Sequence, residues 1–134
     1  MIAVDINLLV RYVTHDDTVR GPQAMRVLGN PQVVFVAKTV LLELEWVLRA
    51  AYRLPRDAIE TALFQVAGLP QVVLEHPEQM SLALDGYLQD LDFADALHYA
   101  SCQSVTGFHT VDARFAKRGR SLGWEVCDLS AEFH

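Results

Sequence analysis

Apolar residues in this chain alternate between short β-branched runs and longer stretches of helical spacing, and that alternation predicts most of its elements. Ile2 to Asp5 reads as a short strand, followed by a helix over Ile6–Thr14. Asp16 or Asp17 can cap a second helix through Pro22 to Leu28, closed by Gly29-Asn30-Pro31. Val33–Ala37 is a continuous apolar run of the buried-strand type, and Thr39–Tyr52 is strongly helical. Pro55 suits the first turn of the next helix, which runs to Ala67 and ends at Gly68. Val72–Leu74 is a third strand, and Pro77 opens a helix to Leu88. Asp92 begins another helix, through Val105, with Gly107 as its stop. Phe108–Val111, a helix over Ala113–Leu122 ending at Gly123, and a strand over Trp124–Leu129 complete the order.

Strands alternating with helices predict an α/β domain. Its central sheet is expected to be mostly parallel and five-stranded, with helices flanking both faces. The length of 134 residues suits a single domain spanning 1–134, and no linker or internal repeat interrupts it. No apolar run is long enough to span a bilayer, and no signal peptide precedes the first strand, so a cytoplasmic protein without membrane association is expected. Cys102 and Cys127 form no CxxC pair, which argues against a zinc or disulfide framework and for buried structural thiols.

Against this pattern four acids stand singly in apolar surroundings: Asp5, Glu43, Asp95 and Asp112. A buried carboxylate without a partner is heavily penalised, so each must be exposed, paired or metal-bound. Asp5 and Asp112 end predicted strands, Asp95 lies in the first turn of a helix, and Glu43 lies one turn into the helix after the second strand. In open α/β sheets ligands bind beyond the carboxyl ends of the strands, and all four positions point to that edge. Each has a plainer reading. Asp5 and Asp112 can simply cap the helices that follow, and Asp92 with Asp95 has capping-box spacing. Glu43 resists that reading, because it shares a helical face with Val40, Trp46 and Val47; Glu45 reads as a boundary residue.

Several carboxylates together suit a hard divalent cation, Mg²⁺ or Mn²⁺. Such an ion can generate a hydroxide nucleophile and neutralise a transferring phosphoryl group, which points to phosphodiester hydrolysis by in-line attack of water. Asn7 is placed to orient Asp5 or a metal-bound water, and Thr110 to hydrogen-bond the last carboxylate. The formal net charge of −6 does not advertise nucleic-acid binding. Arg114, Lys117, Arg118 and Arg120 nevertheless form a basic run just after Asp112; it reads either as a solvated helix face or as a contact for RNA phosphates.

Other chemistries find little support. His15, His76, His98, His109 and His134 lack metal-ligand spacing, and His98, one turn after Asp95, reads as a hydrogen-bonded helix histidine. GxSxG, GxGxxG and GxxxxGK[ST] are all absent. An aspartate phosphotransferase or receiver domain with Asp5 as nucleophile leaves Glu43 unexplained. A non-catalytic RNA- or protein-binding module, with the acids as caps, stays open.

Val-Asp-Ile-Asn at 4–7, Leu-Leu-Glu-Leu-Glu-Trp-Val-Leu at 41–48, Asp-Phe-Ala-Asp-Ala-Leu at 92–97 and Thr-Val-Asp-Ala-Arg-Phe at 110–115 together resemble PIN-domain proteins, and more narrowly VapC-type toxins of toxin–antitoxin pairs. The resemblance spans essentially the whole chain. It implies a PIN fold and a metal-dependent ribonuclease whose acidic quartet falls on Asp5, Glu43, Asp95 and Asp112. Asp92 would be an accessory acid, and Thr110 matches the family's polar position ahead of the last Asp. It further implies a homodimer silenced by a cognate antitoxin whose tail docks over or near the acids.

Overall fold

The computed structural model describes residues 1–14 and 33–132. The helix expected between Asp16 and Leu28 lies outside them, as do His15 and His134. Two compact units divide the chain, Met1–Pro77 and Glu78–His134.

The amino-terminal unit holds a parallel three-stranded sheet in the order β1 (Ile2–Ala3), β2 (Val34–Val36), β3 (Val72–Leu74). Its register pairs Ile2 with Val34 and Val34 with Val72. Val34 and Val36 are buried, while Phe35 between them is half-buried. Helices α1 (Ile6–Thr14), α2 (Lys38–Ala50) and α3 (Arg56–Ala67) pack on one another, and α3 also packs on β3. Leu9, Leu41, Leu44, Leu48, Ile59, Leu63 and Val66 form an almost wholly aliphatic core. Burying one such side chain contributes about 1.5–3 kcal/mol. Pro55 stands at the N-cap of α3, with φ −66°, one position before the helix rather than in its first turn.

The carboxyl-terminal unit is built differently. Helices α4 (Pro77–Leu88) and α5 (Phe93–Ser101) precede a parallel pair, β4 (Phe108–Thr110) and β5 (Val126–Asp128), with α6 (Ala113–Ser121) between them in sequence. Here the core is aromatic. Tyr99 stacks on Trp124 with ring centroids 4.4 Å apart and planes 1° from parallel, and Phe108 and Phe115 meet this pair at 5.5 and 6.3 Å. The Tyr99 hydroxyl also accepts the Glu125 N–H at 2.9 Å. Gly86 lets α4 approach this cluster: a Cβ there would come within 2.6 Å of the Trp124 ring.

The expectation of a parallel α/β fold holds, and that of a five-stranded central sheet holds in part: among the described residues the strands join as a set of three and a set of two. At two or three residues each, the strands offer few backbone groups for pairing. Helix α5 ends at Ser101, four residues before the predicted Val105, because Cys102 already leaves the helical region at ψ 21°. Gly107 then turns the chain into β4 with φ +79° and stops no helix. The expected burial of both cysteines is not seen: both are free, Cys102 is exposed and Cys127 half-buried. Among the described residues no helix is long and apolar enough to cross a membrane.

Candidate active site

Local capping accounts for the placement of most of the acids. Asp5 follows β1, and its Oδ1 accepts the Leu8 N–H at 3.2 Å. Asp92 is the N-cap of α5, accepting the Asp95 N–H at 3.1 Å. Asp112 is the N-cap of α6, accepting the Phe115 N–H at 3.0 Å, while its own N–H donates to Thr110 Oγ1 at 3.0 Å. Each carboxylate therefore satisfies an otherwise orphaned helix-start amide and keeps a further oxygen for other work.

Sequence reasoning missed two acids of the same kind. Glu75 directly follows β3, and its Oε1 accepts the Lys38 N–H at the start of α2 at 2.8 Å. Asp128 ends β5 and accepts the Ser130 N–H at 2.8 Å. The signal was present: each closes a short apolar run, as Asp5 and Asp112 do. A strand-end acid in this chain is thus a cap first, and something further is needed to single out a chemical site.

That further property belongs to the carboxyl-terminal unit. Asp92, Asp95 and Asp112 lie close enough there to influence one another. The Asp95 carboxyl is pushed above its usual range, first by burial, then by the charges of Asp92 and Asp112, while His98 one turn on pulls it down. His98 itself is exposed. An excess of negative charge on hard oxygen donors fits a divalent cation, which would relieve the repulsion raising Asp95. Among the described residues no three His, Cys, Asp or Glu side chains stand close enough together to hold an ion.

Asp5 and Glu43 belong to the amino-terminal unit, both on the carboxyl side of its parallel strands. Glu43 corrects the expectation for α2. It is exposed, as is Trp46, whereas Glu45 is 3 % exposed and paired with Arg49 through Nε at 2.9 Å. The buried stripe runs Leu41, Leu44, Glu45, Leu48, so the Val40–Glu43–Trp46–Val47 face turns away from the core. Asn7 is exposed on α1, two residues beyond Asp5.

The basic run after Asp112 divides in two. Arg118 bonds Asp90 and Arg120 donates through Nε to the Val126 carbonyl at 2.9 Å, so both serve the fold. Arg114 and Lys117 are exposed, and Thr110 is half-buried.

No curated protein matches the chain. A crystal structure of Mycobacterium tuberculosis VapC20, described as a Sarcin-Ricin loop cleaving toxin, is among the solved structures that match. It has 21 % sequence identity and a TM-score of 0.45, covering 89 % of this chain and 95 % of that one. The family model for the PIN domain matches residues 2–121, running unbroken through both units. The chain belongs to the PIN-domain family.

Proposed function

We propose that this chain is a Mg²⁺- or Mn²⁺-dependent endoribonuclease, a cytoplasmic VapC-type toxin working as a single PIN domain over residues 1–134. The observation that carries the reading is the surroundings of Asp95, a carboxyl raised first by burial and then by the like charges of Asp92 and Asp112. Family membership, from the match over residues 2–121, supplies the ribonuclease expectation.

In this reading, which follows from the family resemblance, Asp5, Asp95 and Asp112 would supply carboxylate oxygens to the ion, and Glu43 would assist through a second ion or a bound water. When bound, the ion supplies charge neutralisation at the scissile phosphate and lowers the pKa of a water. Asp92 holds the start of α5 and so the direction from which Asp95 reaches the site. Thr110 Oγ1 holds the Asp112 amide and with it the turn that presents the carboxylate. Asn7 orients the neighbourhood of Asp5. Arg114, Lys117, Arg118 and Arg120 would supply cations to RNA phosphates, Arg118 and Arg120 while also holding fold contacts. A second copy of the chain and a cognate antitoxin are its expected partners.

The capping role of Asp5, Asp92 and Asp112 favours a second reading, a non-catalytic PIN module that binds RNA or protein. Calorimetric titration with Mn²⁺ and incubation with RNA in Mg²⁺ or Mn²⁺ separate the two. The nuclease binds the ion and cuts RNA, and Asp95→Asn loses both. A module does neither in any variant.

A further inference from the structure

Between α4 and α5 the chain turns through Asp90 in the left-handed region, φ +71°. One guanidinium nitrogen of Arg118, from α6, reaches this turn and holds it twice. Nη1 donates to the Asp90 carbonyl oxygen at 2.7 Å and to its Oδ2 at 2.6 Å. Both ends lie in the carboxyl-terminal unit and are separated by 28 residues of chain. The turn leads within two residues into Asp92, the cap of α5, which presents Asp95. Arg118 lies six residues after Asp112, on the helix that Asp112 caps.

We infer that Arg118 is a positioning residue: its clamp on the Asp90 turn sets the spacing between the two helix starts that carry Asp92 and Asp95 on one side and Asp112 on the other. The chemistry requires such a device. Asp92 and Asp95 stand at one helix start and Asp112 at the other, so their like charges push the two starts apart wherever no cation lies between them. A covalently short tie is missing, because β4 and the loop from Cys102 to Gly107 separate α5 from α6. The guanidinium supplies the tie with a charged, two-acceptor contact at short distance. An exposed ion pair contributes little to global stability, so a local role in geometry is where its loss is felt. This role rests on the metal-dependent reading of the same acids.

The experiment compares wild type with Arg118→Ala, Arg118→Lys and Asp90→Gly, the last keeping the left-handed backbone accessible while removing the carboxylate. Two readouts are taken: Mn²⁺ affinity by calorimetry, and amide exchange at Asp95 and Phe115 in metal-free protein. Near-ultraviolet circular dichroism of the Tyr99–Trp124 stack confirms the fold of each variant. Loss of a supporting partner of this kind lowers metal affinity by about 10-fold. Arg118→Ala and Asp90→Gly are expected to show that loss alike and non-additively in the double variant, with faster exchange at both amides and partial recovery in Arg118→Lys. Should Arg118→Ala fail to fold, Asp90→Gly carries the test alone.

Unchanged affinity and exchange in well-folded variants, with wild type binding Mn²⁺, overturn the clamp and leave the nuclease reading standing. A loss confined to RNA affinity in Arg118→Ala, absent from Asp90→Gly, overturns it in favour of direct phosphate contact. Wild type that binds no Mn²⁺ overturns the metal reading itself.

Discussion

Asp5 ends a strand in the amino-terminal unit and Asp112 ends one in the carboxyl-terminal unit, and both accept the amide three residues on. Around Asp5 the unit is aliphatic and its strand-end carboxylates act as caps: Glu75 holds the start of α2. Around Asp112 the unit is aromatic and its acids come in company, with Asp92 and Asp95 within electrostatic reach. The same backbone task is thus done by carboxylates in different company. Capping explains where an acid sits; only crowding by like charge points to a ligand.

The largest expected effect tests whether both units serve one reaction. Asp5→Asn and Asp95→Asn are each expected to reduce RNA cleavage by at least about 100-fold, the scale on which removing one preorganised electrostatic group acts. Circular dichroism should show both folded. Loss in Asp95→Asn with full activity in Asp5→Asn would confine the chemistry to the carboxyl-terminal unit.

A sharper version uses the fact that Asn caps helices as well as Asp. Asp112→Asn keeps the acceptor for Phe115 N–H and removes the charge, so cleavage is lost while melting is little changed. Asp128→Asn makes the same exchange at a strand end outside the proposed ligand set, and its cleavage is expected to match wild type. Equal behaviour of the two in RNA cleavage assays would return Asp112 to the status of a cap.

The cores differ in how they fail. Leu63→Ala in the aliphatic unit removes a fully buried side chain, at a cost of about 2–5 kcal/mol. Gly86→Ala in the aromatic unit drives a methyl toward the Trp124 ring, at a cost of about 1–3 kcal/mol. Denaturant melts followed separately by Trp124 fluorescence in a Trp46→Phe background and by far-ultraviolet circular dichroism read whether the two units unfold together.

Much of this arrangement is legible in the amino-acid sequence. Proline and glycine punctuation placed α3, α4 and α6 to within a residue or two, because those residues act locally. Asp92 was readable as a cap for the same reason. Glu43 and Glu45 were not readable. Period alone allowed either to face inward, and a large apolar Trp46 pulled the expected core stripe onto the wrong face. What decided the matter is Arg49, four residues on, which pairs with Glu45 and lets that carboxylate go under. The separation of Arg118 and Arg120 from Arg114 and Lys117 was equally hidden, since their partners Asp90 and Val126 are set by the fold.

The smallest effect is also the most specific to the crowded unit. Asp95 titrates above its ordinary range in the folded chain, so folding favours its protonated form. Its contribution to stability is therefore fully present below the unfolded carboxyl's pKa, near the ordinary value of 3.8, and is lost as pH rises through the raised folded value. Metal-free protein should melt at lower temperature once that window is passed. Asp95→Asn removes the penalty and is expected to raise the metal-free melting temperature at neutral pH, with a flatter pH profile than wild type. Mn²⁺ should raise the wild-type melting temperature and move Asp95→Asn far less, because binding to the folded state stabilises by mass action only where the ligands remain. A substitution that stabilises the empty protein and abolishes the response to metal separates a site held against its own repulsion from a set of helix caps.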